Sequence, residues 1–235
     1  MNSLCVILAR KGSKGIKNKN IINLCEKPLI AYTIEAAVKS KVFDKVVVST
    51  DCENIAKIAR SFGAETPFLR PSRLGGDSVL SKHAVQHALK KCEEIYNKKF
   101  DIVTELQCTS PLRDHLHVMS AFEKFKNVFD KYDSLVSVYE VNHFHPKKLK
   151  KVINDTIVDL CEHYSEEKIG RRQDAESFYV RNGAIFMMTR DCILNKNSRV
   201  GDKSTPFIMK EIDSINIDSE IDLKIAKTII GEKNG

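Results

Sequence analysis

The 235-residue chain predicts an α/β fold, a mostly parallel sheet with helices on both faces. Leu4–Ala9, Lys45–Ser49 and Asp101–Leu106 are short, largely apolar runs, the pattern of strands buried on both sides. Pro28–Ser40 and Ser81–Tyr96 carry apolar residues at helical spacing. Strand, helix and strand therefore alternate, and right-handed crossovers between them make the sheet parallel.

Leu4–Ala9 is too short for a helix and is followed by glycines, so it reads as the first strand. Pro28 opens a helix carrying Leu29, Ile30, Ile34, Ala36 and Ala37. After the strand at Lys45–Ser49, Asp51 is expected to cap a helix through Ile55, Ile58 and Ala59 that stops at Gly63. Thr66–Leu69 predicts a short strand, Ser81–Tyr96 a helix, Asp101–Leu106 a strand, Asp114 to about Phe129 a helix and Ser134–Val141 a strand. From Asn142 to Ser177 the alternation is lost among Lys, His, Glu and Arg, so this segment reads as an excursion from the sheet. Ala184–Thr189 and Phe207–Lys210 resume it, and Ser219-Glu-Ile-Asp222 is a capping box opening a last helix to about Ile230. One domain over residues 1–235 accounts for the whole pattern, with 142–177 as its excursion.

A hydrophobic fraction of 42% with 29% charged residues excludes collagenous, mucin-like and disordered chains. The N-terminal apolar run is shorter than a signal-peptide core or the ~20 residues of a membrane span, so no membrane partner is expected. Seven cysteines without a C-x-x-C imply neither a disulfide framework nor a zinc site; most read as small buried residues in a reducing, cytoplasmic setting. His83 and His87 have the spacing of a metal pair, but the Glu of a metalloprotease motif is missing between them. A net charge of +7 raises nucleic acid as a partner, yet the chain has no Trp, few aromatics and no recognised nucleic-acid-binding motif, so none is expected.

The charge is informative where it clusters. Arg10, Lys11, Lys14, Lys17 and Lys19 crowd the loop after the first strand, beside Gly12 and Gly15, and Lys147, Lys148, Lys150 and Lys151 form a second cluster. Ligands of open parallel sheets bind beyond the carboxyl ends of strands, and a glycine-bearing turn offers backbone N–H groups to an anion. Phosphate is the natural occupant of this loop, although it matches neither G-x-x-x-x-G-K-[ST] nor G-x-G-x-x-G.

Ala9-Arg-Lys-Gly-Ser-Lys-Gly-Ile16, Lys19-Asn20, Lys27-Pro-Leu29, Val48-Ser-Thr-Asp51 and Leu69-Arg-Pro71 stand in order along the chain. Leu106-Gln-Cys-Thr-Ser-Pro-Leu-Arg113, Arg181-Asn-Gly-Ala-Ile185 and Ser214-Ile-Asn-Ile-Asp218 continue the series. Together they resemble the acylneuraminate cytidylyltransferases, the CMP-sialic acid synthetases, over nearly the whole chain. The resemblance implies a Rossmann-like nucleotidyltransferase fold. It also implies a reaction in which the anomeric hydroxyl of a nine-carbon α-keto acid sugar attacks the α-phosphate of CTP, with Mg²⁺ as cofactor and pyrophosphate as product. By the same resemblance Arg10, Ser13 and Lys19 hold the triphosphate, while Asn20, Arg70, Ser81 and the backbone at Ala9 line the nucleotide pocket.

Gln107 stands where family members contact the sugar, and Lys148 and Arg172 match the cations that hold its carboxylate. Family members often carry Asp-x-Asp at the metal, where this chain has Asn216-Ile-Asp218; alternate residues on a strand share a face, so Asp218 and the neutral oxygen of Asn216 are the expected ligands. The resemblance further implies a homodimer built through residues 142–177, with Lys148 or Arg172 completing the neighbour's sugar site. Legionaminic, pseudaminic and keto-deoxy-octulosonic acids are the alternative sugars.

Overall fold

The computed structural model describes residues 1–12, 15–76, 79–141, 146–161 and 177–234. β1 (Ser3–Leu8) runs through the middle of the sheet, five of its six residues buried. A tight hairpin of β2 (Asn23–Leu24) and β3 (Lys27–Pro28) leads into α1 (Leu29–Ser40), and β4 (Lys45–Ser49) follows. Next come α2 (Glu53–Ser61), α3 (Ser81–Tyr96), β5 (Ile102–Glu105), α4 (His115–Lys126) and β6 (Ser134–Glu140). The hairpin β7 (Lys150–Ile153) and β8 (Thr156–Asp159) stands apart, before β9 (Tyr179–Thr189), α5 (Arg190–Leu194), β10 (Ser204–Ile208) and α6 (Glu220–Asn234).

The six-stranded sheet has the order β10-β6-β9-β5-β1-β4. β1 lies parallel to both β4 and β5, and β10 is parallel to β6; β9 runs antiparallel between β5 and β6. Because strand side chains alternate, the sheet separates two cores. Cys5, Ile7 and Ile102 face α1 and α4 through Ile30, Ile34, Phe122 and Phe125. Leu4, Val6 and Val103 face α3 and α5 through Val85, Leu89, Cys192 and Ile193. A third cluster joins Ile16 of the first loop to Ile217 and to Leu223 and Ala226 of α6, so the loop after β1 is anchored beside residue 218.

The strand at 134–141 and the helix at 81–96 fall where the sequence placed them, and α4 receives its cap from Asp114, whose side chain accepts the His117 N–H. The Ser219 capping box also forms: Asp222 Oδ2 accepts the Ser219 N–H at 2.7 Å, and Ser219 Oγ accepts the Asp222 N–H at 3.4 Å. Four expectations are corrected. Asp51 does not cap α2; Cys52 holds the N-cap position without a side-chain bond, and Asp51 Oδ1 accepts the Lys11 N–H at 2.9 Å instead. Thr66–Leu69 forms no strand, because pairing with β4 is confined to a bridge between Val47 and Glu65 before Pro67, which has no N–H to give. The strand expected at 184–189 begins at Tyr179, and the one expected at 207–210 lies earlier, as β10, with its proline on the sheet edge. The 142–177 excursion contains the ordered hairpin β7–β8. Among the described residues no helix is long and apolar enough to cross a membrane.

Candidate active site

The carboxyl ends of β1 and β5 open into a cleft of about 400 Å³. Arg10, Lys19, Asn20, Arg70, Ser81, Gln107, Asn216 and Asp218, eight of the residues singled out in the sequence, line it together. Arg10 leaves the end of β1 and donates from Nη1 to the Gly75 carbonyl at 3.3 Å. Asn20, buried, donates from Nδ2 to the Arg10 carbonyl at 3.0 Å and so fixes the backbone behind that guanidinium. Gly15 lets the same loop close on the far wall, since a Cβ there would stand 2.7 Å from the Asp218 carbonyl oxygen.

Arg70 is the clearest sign of an anionic occupant. It is 5% exposed, and its Nε and Nη2 have no hydrogen-bond partner among the described residues. Burial lowers its pKa, Arg10 adds to that, and Asp51 opposes it. A desolvated guanidinium with spare donors at a cleft wall is arranged to receive a charged acceptor.

Across the cleft, Lys19 donates from Nζ to the Ile217 carbonyl at 3.0 Å and to Asp218 Oδ1 at 2.9 Å. Asn216 and Asp218 share a face, and Asn216 Nδ2 donates to Asp218 Oδ2 at 2.7 Å. For a resident Mg²⁺ this donor set fits poorly. Asp218 is its one carboxylate, the described residues hold no group of three or more His, Cys, Asp or Glu able to bind a metal, and the buried Asn216 Oδ1 is turned away from Asp218.

Gln107 stands two residues past β5 and is pinned from below. Its carbonyl accepts from Thr33 Oγ1 at 3.2 Å and from Arg113 Nη2 at 3.4 Å, and Arg113 also donates to Thr33 Oγ1 at 2.7 Å. Arg113 is 1% exposed, and burial pulls its pKa down to about 10. On the upper side the chain swells. Between the pairs Val136–Phe186 and Val138–Arg181, β6 advances two residues while β9 advances five, and this bulge brings Gly183 against Gln107. The Asn182 side chain holds the bulge, accepting from Ser137 Oγ at 2.5 Å and donating to Ser214 Oγ at 2.9 Å.

Gln107, Asn216 and Asp218 also line a second cleft of about 590 Å³, whose other walls include Tyr139, Arg181, Phe186 and Arg199. The two clefts thus meet at these three side chains. Cys108 lines the first cleft, but burial pushes its thiol up to about 12, so it is no nucleophile.

A family profile described as Cytidylyltransferase matches residues 4–210. The chain belongs to the cytidylyltransferase family. It is 36% identical over 234 residues to a Campylobacter coli protein named post-translational flagellin modification protein B, covering 98% of this chain and 96% of that one. It is 37% identical to the N-acylneuraminate cytidylyltransferase of Escherichia coli O18:K1:H7, matching 98% of this chain; it spans about half (52%) of that relative's length. It is 34% identical to the CMP-N,N'-diacetyllegionaminic acid synthase of Campylobacter jejuni, over 98% of this chain and 96% of that one. Among solved structures, a CMP:2-keto-3-deoxy-manno-octonic acid synthetase complexed with CTP superposes with a TM-score of 0.73 at 16% identity, over 99% of this chain and 100% of that one. The cytidylyltransferase fold is therefore the Rossmann-like one, with its single antiparallel strand inside a mostly parallel sheet.

Not every expected site residue lies at the clefts. Ala9 is fully buried, its N–H bonded to the Ser49 carbonyl at 3.1 Å, so its part is to hold the strand end behind Arg10. Lys148 is exposed and lines neither cleft of its own chain. Ser13 and Arg172 lie outside the described residues. His83 and His87 sit on α3, where the His87 ring packs edge-on to Phe68. The sequence reading missed Glu105 and Arg199. Glu105, 1% exposed, accepts from Arg199 Nη1 at 2.9 Å, and that guanidinium lies over the Phe186 ring at 4.5 Å. An acid inside an otherwise uncharged strand was the available signal.

Proposed function

We propose that the protein transfers CMP from CTP to the anomeric hydroxyl of N-acetylneuraminic acid or a close nonulosonic acid, releasing pyrophosphate. The observation that carries this reading is the junction of the two clefts, with cations crowding the first and neutral donors and acceptors shared at Gln107 and Asn216. In this reading the triphosphate lies along Arg10, Lys19 and Arg70, and Ser13 adds a hydroxyl from the same loop. The sugar lies in the second cleft against Gln107. Its anomeric oxygen attacks the α-phosphorus, the bond from that phosphorus to the bridging oxygen breaks, and pyrophosphate leaves while the hydroxyl proton is lost. Fixed cations oriented before the reaction stabilise the charge that grows on the leaving pyrophosphate without reorganisation. Orienting hydroxyl and phosphorus in line is the other contribution expected of the site. Were Mg²⁺ to accompany the nucleotide, Asp218 would be the carboxylate facing it, and the ion would add to the neutralisation of the triphosphate.

The sugar is either neuraminic acid or a close relative. Identities of 37% to a neuraminate enzyme and 34% to a legionaminate enzyme support both sugars. Pyrophosphate release with CTP and a panel of nonulosonic acids tests the reading. Release with one panel member and none with the sugar omitted is expected, and no release with any of them refutes it.

Dimerisation belongs to the same proposal. Val152 is 73% and Ile157 70% exposed on β7–β8, an apolar surface that a second copy would cover. In the dimer Lys148 or Arg172 of one copy reaches the sugar carboxylate bound by the other. A variant lacking residues 150–170 should sediment as a monomer, bind CTP and fail to transfer it; an active monomer of the intact chain would exclude the shared site.

A further inference from the structure

Asp218 has a donor on each oxygen before any ligand arrives. Lys19 Nζ meets Oδ1 at 2.9 Å and Asn216 Nδ2 meets Oδ2 at 2.7 Å. The orientation of the Asn216 amide follows from its neighbour. Reversing it would set Oδ1 against a carboxylate oxygen at the same short distance, acceptor facing acceptor, so the NH₂ group must point to Asp218. Oδ1 is then left on the other side, buried and without a hydrogen-bond partner among the described residues. A cation bound at the Asp218 carboxylate meets the amide's nitrogen side, which is a donor and repels it.

The charge count points the same way. An aspartate at 216 would bring another carboxylate beside Asp218, near Asp222, whose Oδ2 already accepts the Asp218 N–H at 3.0 Å, and would put an acceptor where Asp218 Oδ2 now meets a donor. The asparagine instead donates to one Asp218 oxygen while Lys19 pairs with the other, in a geometry fixed by the irregular segment 215–218 on one side and by the loop after β1 on the other.

We infer that the nucleotide-free Asn216–Asp218 pair is no divalent-cation site, and that Asn216 is a positioning residue that clamps Asp218 together with Lys19. This rests on the nucleotide reading of the first cleft. Asp218 would then be the carboxylate that faces the cation of a bound nucleotide, with Lys19 and Asn216 holding it in place.

Mn²⁺ alone, titrated into the nucleotide-free, full-length protein and followed by the loss of its free-ion paramagnetic resonance signal, tests the first half. The parent should bind it no more than twofold tighter than Asp218→Ala. Asn216→Asp should gain a site at least tenfold tighter, which Asp218→Ala in the same chain abolishes. Saturable binding by the parent that disappears in both Asn216→Ala and Asp218→Ala would overturn the inference.

The second half is read from Asn216→Ala at saturating CTP. The Mg²⁺ concentration for half-maximal turnover should stay within about threefold of the parent while kcat falls, whereas a ligand role would raise that concentration tenfold or more. CTP binding by the parent is measured separately. Its absence would refute the nucleotide reading, and the Mn²⁺ titration would still decide what Asn216 does.

Discussion

Replacing Gly183 by alanine tests whether the β9 bulge exists to serve Gln107. Gly183 has φ +74°, in the region that L side chains rarely adopt, and the conformational cost for alanine is roughly 1–2 kcal/mol. In a chain of this size that lowers Tm by about 2–8 °C. Its Cβ would also stand 2.5 Å from Gln107 Oε1 and 3.4 Å from Cδ, so the amide must move. Moving the end of a flexible side chain costs little stability, yet a displacement of about 1 Å at a reacting centre lowers turnover by roughly 10²-fold. The assay is steady-state pyrophosphate release alongside CTP binding. Gly183→Ala should lose transfer and keep CTP binding, and Gln107→Ala should lose a comparable amount. Because both act through one amide, the double variant should be no worse than Gln107→Ala alone. Full turnover in Gly183→Ala, or losses that multiply in the double variant, would refute the coupling.

Arg10→Ala should fold normally and lose roughly 10²-fold in kcat, the scale for removing one preorganised donor to developing charge; turnover within twofold of the parent would exclude that role. Arg70→Met removes a buried, incompletely bonded cation, so its thermal midpoint should hold or rise while the KM for CTP increases about tenfold or more, the equivalent of one charge-assisted hydrogen bond; an unchanged KM would place the nucleotide elsewhere. Burial raises the pKa of Asp222, but the Ser219 hydroxyl and the N–H groups of Asp218 and Ser219 outweigh it and leave the carboxyl below its usual value. Its contribution to stability is therefore full above the ordinary aspartate range and lost as pH falls through the lowered folded-state value. Asp222→Asn should cost about 1 kcal/mol at neutral pH and flatten the acid limb of a Tm-against-pH curve; an unchanged acid limb would count against the cap.

Local signals carried the fold well. The buried strands at 4–9 and 45–49 and the helices at 29–40 and 81–96 were legible because apolar period and chain punctuation agreed. Two of the misplacements share a cause: side chains near the site bond outside their own element. Asp51 left α2 uncapped because the basic loop offered it the Lys11 N–H, a contact 40 residues away that no local rule contains. The early part of β9 was unreadable because Arg181, Asn182 and Gly183 are polar or lack a side chain, whereas its bulge is held by Ser137 and Ser214. The site was legible where chemistry clusters in one loop, as with Arg10, Lys19 and Asn20. Glu105 and Arg199 pair across 94 residues, and neither is conspicuous until the fold brings them together.

The position of the clefts follows from strand order. From β1 the chain crosses to β4 on one side, and after α3 it returns as β5 on the other, so the connections leave β1 in opposite directions and open a crevice beyond its carboxyl end. Arg10 and Gln107 face that crevice because each is the first or second residue past its strand. In an all-parallel sheet the next neighbour of β5 would send its own carboxyl end the same way. β9 instead runs antiparallel, so its amino-terminal half, with Arg181 and Gly183, rises beside the ends of β5 and β6 and walls a second cleft against the first. The one reversed strand is therefore what turns a single nucleotide-sized crevice into two adjoining sites, and it sets Gln107 between them. A substitution that straightens the bulge, such as Asn182→Val, should act on both: it breaks the bonds to Ser137 and Ser214, and the second cleft should lose its acceptor before the first loses its nucleotide. A rise in the sugar KM of tenfold or more with the CTP KM held within threefold is expected, and the opposite order would show that the reversed strand supports the nucleotide cleft instead.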